Sequence, residues 1–383
     1  MASFALLVLG APATLAQSTE PIVIGAVISL TGRDAAFGQE CLAGLDIALE
    51  EANAEGGIHN RPVTLQVFDD KSDPILAAEG VRTLVRQFSP IAIVGSNTSM
   101  VTKAAAVAAQ NVGVPLIVPE ATEPDITAIG DWIYRVCFVD PDMARGLAAY
   151  AYADLGLRRV AILTEDKHDY TVSFTRCFRD RFIELGGEIV YQSGYRQGTT
   201  TFDELLKQAA SLHADAVLVS GFYPEAGSVI ACAKRLGENL TFLGGDGWES
   251  DGLFTAAGDA ITDRSRIFIA SHFSPDVRRA KVRGFVEAFR EKFGRRPNTS
   301  SALGFDAGGL VMGAAMRAAS LDPAGIKAAL ADARHEGVTG YITIGPNRNP
   351  SKKVIILQVG DDQRFAYVRA ISSETLRAPE STQ

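Results

Sequence analysis

Residues 22–28 read IVIGAVI, residues 38–52 read GQECLAGLDIALEEA and residues 63–68 read VTLQVF. The outer two are short and almost wholly or largely apolar, whereas the middle one puts Leu42, Leu45, Leu49 and Ala52 on one helical face. Strand, amphipathic helix and strand in that order predict a parallel pair, because parallel neighbours need a crossover and the crossover helix packs on the sheet. The pattern continues through PIAIVG (90–95), VPLIVP (114–119) and WIYRV (132–136), with Val81, Leu84, Val85 and Phe88 spaced i, i+3, i+4, i+7 between strands. It then starts again. VAILTE (160–165), GEIVYQ (187–192), ADAVLVSG (214–221), LTFLGGD (240–246) and RIFIASHF (266–273) form a second set. The doubling predicts an α/β protein of two parallel-sheet lobes with a cleft between them.

The chain has 383 residues, long enough for two domains of ordinary size. Its 37 basic and 45 acidic side chains leave a net charge of −8, which argues against a generic nucleic-acid surface. Near the start, an apolar stretch from Phe4 to Leu9 is followed by Pro12 and by Thr14-Leu15-Ala16 before Gln17, which reads as a signal peptide over residues 1–16. A basic opening is missing from it, since the first Lys or Arg is Arg33. No cysteine follows directly to carry a lipid, and no later stretch has the length and apolarity of a membrane span.

Cys41, Cys137, Cys177 and Cys232 form no C-x-x-C pair, and the five histidines are scattered, so neither metal nor cofactor is expected. Cys41, within the first helix, and Cys137, at the end of a strand, read as small buried hydrophobes, and in an oxidising compartment a pair such as Cys177 and Cys232 could be bridged. Neither G-x-S-x-G nor G-x-x-x-x-G-K occurs, and no nucleophile with a base is evident, so an enzyme is not expected.

Open α/β sheets bind ligands beyond the carboxyl ends of their strands. After IAIVG comes Ser96-Asn97-Thr98-Ser99 and a helix expected to start near Met100, which Ser99 can cap; its free N–H groups suit a carboxylate. After VPLIVP comes Glu120-Ala121-Thr122, and LTFLGG ends in Asp246-Gly247-Trp248. Each is also an ordinary loop or cap residue when taken alone. Together, hydroxyls and helix N–H groups on one lobe with a carboxylate on the other suggest a zwitterionic ligand.

With those residues in place the chain resembles the type I periplasmic binding proteins of the leucine/isoleucine/valine-binding group, soluble receptors of ABC importers. The resemblance covers nearly everything after the leader. It is carried by the segment 24–74, by VPLIVPEATEPDIT (114–127), VAILTEDKHDYTVS (160–173), SGFYPEAG (220–227) and FLGGDGW (242–248). It implies two Rossmann-like lobes joined by a three-strand hinge, with crossings near Val139, His272 and Gly345. Lobe 1 would take 22–139 and 273–345; lobe 2 would take 140–272 and 346–371, where VIILQV and FAYVRA add edge strands; 372–383 would be a flexible tail.

By the same resemblance Ser99 and Thr122 stand where the α-carboxylate is bound, with Ala121 and Glu120 in the loop whose backbone meets the head group. Tyr170 matches by identity a tyrosine that closes over the ligand, and Asp246 stands where an acid takes the α-ammonium. Phe37 and Phe222 replace tyrosines, keeping the rings and losing two hydroxyls. Asn97 replaces an apolar wall residue and Glu120 a small one, while Ser72 and Thr98 stand in place of a disulfide-bonded cysteine pair. Glu120 turned inward would favour a ligand with an amine, an amide or several donors; turned outward it is a solvated loop residue. Trp248 is either the floor of a side-chain pocket or part of the core. The implied function is a periplasmic, monomeric receptor that carries an amino acid, branched-chain or related, to an ABC permease. A sensing module for a kinase or regulator, or a receptor for an amide or aromatic acid, is the alternative.

Overall fold

The computed structural model describes residues 20–262 and 266–372. The expected leader over 1–16 and the tail from 373 onward lie outside the described residues.

The apolar runs assemble into two sheets. β1 (Ile22–Ile28), β2 (Val63–Asp69), β3 (Ile93–Gly95), β4 (Leu116–Val118) and β5 (Ile133–Arg135) lie parallel in the order β2-β1-β3-β4-β5. Helices α1 (Ala35–Ala54), α2 (Pro74–Phe88) and α3 (Ser99–Val112) are the crossovers. On α2 the predicted stripe buries Val81 and Leu84, while Phe88 at the helix end is partly exposed. After α4 (Asp140–Ala153) the order repeats in β6 (Arg159–Glu165), β7 (Glu188–Tyr195), β8 (Ala216–Ser220), β9 (Thr241–Gly244) and β10 (Ile267–Ser271), arranged β7-β6-β8-β9-β10. Helices α5 (Asp169–Glu184), α6 (Asp203–Ser211), α7 (Tyr223–Leu236) and the short α8 (Gly252–Ala257) connect these strands.

Both sheets therefore change direction between their first and third strands, at β1/β3 and at β6/β8. A crevice opens outside the carboxyl ends of such a switch point, because the adjoining loops leave on opposite faces of the sheet. The order alone thus predicts where each lobe presents its binding loops.

The chain then returns to the first core. α9 (Ala280–Phe293), α10 (Thr299–Arg317), α11 (Pro323–Leu330) and the hairpin of β11 (Arg334–Gly337) and β12 (Gly340–Thr343) pack on it, Phe285, Leu303 and Ile342 joining Ile24 and Leu45 in one apolar cluster. β13 (Val354–Val359) and β14 (Phe365–Ile371) extend the second sheet antiparallel beyond β10. Contact between α1 and α10 depends on glycine: a Cβ on Gly44 would stand 1.8 Å from the Ser301 carbonyl, and one on Gly304 would stand 2.1 Å from the Cys41 carbonyl. No other residue fits so close a backbone approach. The consequence is functional, since the amino end of α10 reaches the cleft.

All four cysteines are free, so the possible Cys177–Cys232 bridge is not formed. Cys41, Cys137 and Cys232 are buried as small apolar side chains.

A candidate ligand site between the two sheets

On the first lobe the loops after β1, β2 and β3 are bound to one another. The Asp70 carboxylate accepts from Ser29 Oγ and Ser96 Oγ, each at 2.6 Å. Asp34 takes the Thr98 hydroxyl at 2.7 Å, and its own N–H donates to Ser72 Oγ at 2.9 Å. The two positions implied to be a cysteine pair in relatives are thus joined through Asp34, Thr98 by its carboxylate and Ser72 by its backbone N–H. α3 starts at Ser99 with Thr98 as its N-cap, one residue earlier than the sequence suggests; Ser99 is the first helical residue and not the cap. Because the Thr98 hydroxyl is committed to Asp34, no side chain caps the first turn of α3. A helix start left without a side-chain cap suits an anion, and Thr98 and Ser99 line the cleft. The Glu123 N–H donates to Ser99 Oγ at 3.4 Å, tying the β4 loop to this turn.

Glu120 is buried, which removes the solvated-loop alternative. One carboxyl oxygen accepts from Asn97 Nδ2 at 3.1 Å and the other from Ser300 Oγ, on α10, at 2.5 Å. Burial pushes its pKa up to about 8, the Ser300 bond opposing the rise and the Asp246 and Glu249 charges adding to it.

Across the cleft, His168 and Tyr170 stand at the amino end of α5, just after β6, and Phe222 precedes α7, just after β8. Phe222 lies 5.0 Å from His168, 5.6 Å from Tyr170 and 6.1 Å from Phe37 of the other lobe, centroid to centroid, in tilted or edge-on contacts. Such geometry suits aromatic quadrupoles. Burial pushes His168 down to about 4, so its ring is neutral at pH 7. Burial, with the Asp246 and Asp140 charges, holds the Tyr170 hydroxyl well above its usual pKa.

Asp246 lies in a 3-10 turn after β9, its Oδ2 3.0 Å from His272 Nε2. Burial lowers the His272 pKa against the pull of Asp246. A carboxylate can only accept, so the neutral ring donates from Nε2. The ring stacks on Phe138 at 3.7 Å.

These groups meet in one cavity, lined by Phe37, Asn97, Thr98, Ser99, Glu120, Ala121, Thr122, His168, Tyr170, Phe222, Asp246 and Gly247. Every residue singled out in the sequence is there except Trp248. That indole is fully buried in the second lobe and donates from Nε1 to the Val219 carbonyl at 3.2 Å, so it is core and not pocket floor. Thr98 and Gly247, part of the candidate loops but given no ligand role from the sequence, also line it, as does His168, which the sequence did not single out. His168 carried a usable signal: it sits just after β6, at the switch point of the second sheet.

The lobes touch across the mouth. Arg33 donates from both terminal nitrogens to Glu165, at 3.0 and 2.8 Å, and its guanidinium carbon lies 4.5 Å from the Phe222 centroid. Lys103 pairs with Asp169 at 2.8 Å and with Glu123 at 3.2 Å. Deeper in, the Glu249 carboxylate accepts from the Thr299 N–H at 2.9 Å and from Ser271 Oγ at 2.5 Å, so the second lobe adds an acceptor to the amino end of α10, whose own cap is Asn298. Among the described residues no group of His, Cys, Asp or Glu could hold a metal ion, and no helix is long and apolar enough to cross a membrane.

The sequence profile of the periplasmic binding proteins matches residues 21–364. The chain belongs to that family. Leu/Ile/Val-binding protein homolog 1 of Brucella abortus is 26% identical over 362 residues, 91% of this chain and 93% of its own. Among solved structures, the leucine-binding protein LivK of Thermotoga maritima matches with a TM-score of 0.85 at 29% identity, covering 92% of this chain and 99% of that one. The branched-chain amino acid transporter substrate-binding protein LivJ of Streptococcus pneumoniae, solved with isoleucine, matches with the same TM-score at 30% identity and the same coverage. The fold of this periplasmic binding protein is therefore the type I fold of these receptors.

Proposed function

We propose that the protein is the extracytoplasmic receptor of an ABC importer, holding an amino acid, branched-chain or related, between lobes that close on it. One observation carries this reading: an uncapped helix start with the Ser99 and Thr122 hydroxyls on one wall, and the Asp246 carboxylate on the other, line a single cavity. An α-amino acid presents the complementary pair of charges. The α-carboxylate would take Ser99, Thr122 and the α3 N–H groups, with the Ala121 and Glu120 backbone at the head group; the ammonium would take Asp246, with Tyr170 over it. Phe37 and Phe222 would close on the ligand as rings. Once water is excluded these contacts strengthen, and a ligand lacking either charge leaves a buried group unpaired.

Lobe 1 would comprise 22–139 and 273–345 and lobe 2 140–272 and 346–371, rotating about crossings near Val139, His272 and Gly345. Separation there would break the Arg33 and Lys103 pairs across the mouth, leaving two faces free to dock on a permease as a monomer in the periplasm. In this reading the protein binds and releases its solute unchanged.

The test is a thermal-shift screen of protein unfolded and refolded to remove carried ligand. Amino acids would be compared with their amides and deaminated acids. Ligand at a hundredfold excess over Kd raises stability by about 2.7 kcal/mol. Stabilisation by α-amino acids and not by the deaminated acids is expected. Stabilisation by deaminated or aromatic acids alone would give Asp246 another role and redraw the solute class.

A further inference from the structure

Three polar atoms of cavity-lining residues have no hydrogen-bond partner among the described residues: Asn97 Oδ1, His168 Nδ1 and Tyr170 Oη. Their residues are only 2%, 5% and 4% exposed. Buried polar atoms are almost always paired, and leaving one unpaired is costly, so a set of three in one cavity marks where a bound molecule supplies the partners. A zwitterionic head group accounts for one of them, since its ammonium at Asp246 would also meet Tyr170. It leaves Asn97 without a partner.

The orientation of Asn97 is set. Its Nδ2 donates to Glu120, whose other oxygen is held by Ser300. The amide therefore keeps its carbonyl oxygen free as an acceptor, beside a carboxyl group that is itself an acceptor when ionised. The leucine side chain has nothing to donate to either.

We infer that Asn97 and Glu120 form a subsite for a ligand side chain that donates hydrogen bonds, so that this receptor prefers a small α-amino acid bearing a hydroxyl, carboxamide or amine over leucine, isoleucine or valine. The inference rests on the amino-acid reading above and specifies its side chain. One further feature of the cavity agrees with it: the neutral ring of His168 offers another donor or acceptor on the opposite wall. The Glu120 carboxyl, pushed up to about 8, adds a signature: a donor arriving beside it favours its charged form, so binding at pH 7 releases protons to the buffer.

Calorimetry on ligand-stripped full-length protein tests this with near-isosteric pairs: threonine against valine, asparagine against leucine, and ornithine against norleucine. At least one polar member is expected to bind about tenfold or more tightly than its apolar partner. Its proton release, read from buffers of different ionisation enthalpy, is expected to vanish in Glu120→Gln, which keeps the volume and can accept from Asn97 while donating to the Ser300 hydroxyl. Asn97→Leu is expected to reverse the preference. Should that variant fold poorly, Asn97→Ser reports the same loss of the carbonyl acceptor. Equal or tighter binding of valine, leucine and norleucine overturns the inference and leaves the amino-acid receptor standing. If no α-amino acid of either kind binds, the inference falls together with the reading it rests on.

Discussion

On the first-lobe wall of the cleft the side chains are held by one another: Thr98 by Asp34, Ser96 by Asp70, Asn97 and Ser300 by Glu120. On the second-lobe wall Tyr170, His168 and Phe222 are fixed by ring packing, and the Tyr170 hydroxyl and His168 Nδ1 have no protein partner among the described residues. One wall is a rigid socket whose hydrogen bonds are largely internal. The other is an aromatic cap whose polar atoms are left for what it covers. That contrast is what a closing receptor needs, because a preformed socket lowers the ordering cost of first contact, while the cap gains its partners only on closure.

The strongest way to break the contrast is at Asp246, a charge on the cap side. Asp246→Ala is expected to cost about 3 kcal/mol of amino-acid affinity, more than a hundredfold, by calorimetry. It also strips His272 Nε2 of its acceptor, so the melting temperature should fall even without ligand. Asp246→Asn keeps an acceptor for His272 and removes only the charge. If it binds as tightly as the parent, Asp246 does not pair the ammonium.

A smaller effect is expected where the walls meet. Arg33→Ala removes a two-pronged pair with Glu165, whose side chain is 5% exposed, and a cation from the Phe222 face. About 1–2 kcal/mol of affinity should be lost, roughly tenfold, with a larger radius of gyration in solution scattering at saturating ligand. Lys103→Ala provides the control. Its partner Asp169 is 51% exposed, so the loss should stay within about 1 kcal/mol and disappear in high salt. Equal losses at the two positions would mean that the inner pair is no more than a surface bridge.

Burial of titratable groups on both sides of the cleft gives the protein a pH dependence. Burial pushes Glu120 up to about 8, Asp140 to about 8 and Glu249 to about 7. In the unfolded chain such carboxyls titrate near 4, so between these values the folded protein holds protons that the unfolded chain has released. The stability contributed is complete below pH 4 and is lost as pH rises towards 8. Lys352, pushed down to about 8 by burial, adds a slope only above that value. His168, pushed down to about 4 by burial, opposes this loss below about pH 6.5, so the melting temperature should fall by several degrees from about pH 6.5 to pH 8, and Glu120→Gln should make the fall shallower. An unchanged slope in that variant would place the protons elsewhere.

Much of this was legible in the sequence because buried strands announce themselves as apolar runs. Periodicity located each of the ten parallel strands, and the loops after them carried nearly every cavity residue. What stayed hidden was direction. Glu120 turns inward because Ser300 awaits it from 180 residues away, on a helix brought to the cleft by the glycine contact between α1 and α10. No local pattern encodes that. His168 was passed over because a lone histidine in a polar loop has no period, although its place at a switch point now accounts for it.

Trp248 is the sharpest example, and it sets the smallest prediction. It follows Asp246 by two residues in a 3-10 turn, and that turn sends the carboxylate to the cleft and the indole into the second core. A Cβ on Gly244 would lie 2.3 Å from the indole ring, so the glycine lets the ring seat flat against the strand. Trp248→Phe should lose the hydrogen bond to the Val219 carbonyl and part of this packing, about 1–3 kcal/mol of stability by denaturant titration. Amino-acid affinity and the order of preference among solutes should change less than twofold, because nothing on either wall of the cleft moves. A changed preference would mean that the core behind the cap, and not only the Asn97 and Glu120 side of the socket, shapes the ligand's side-chain pocket.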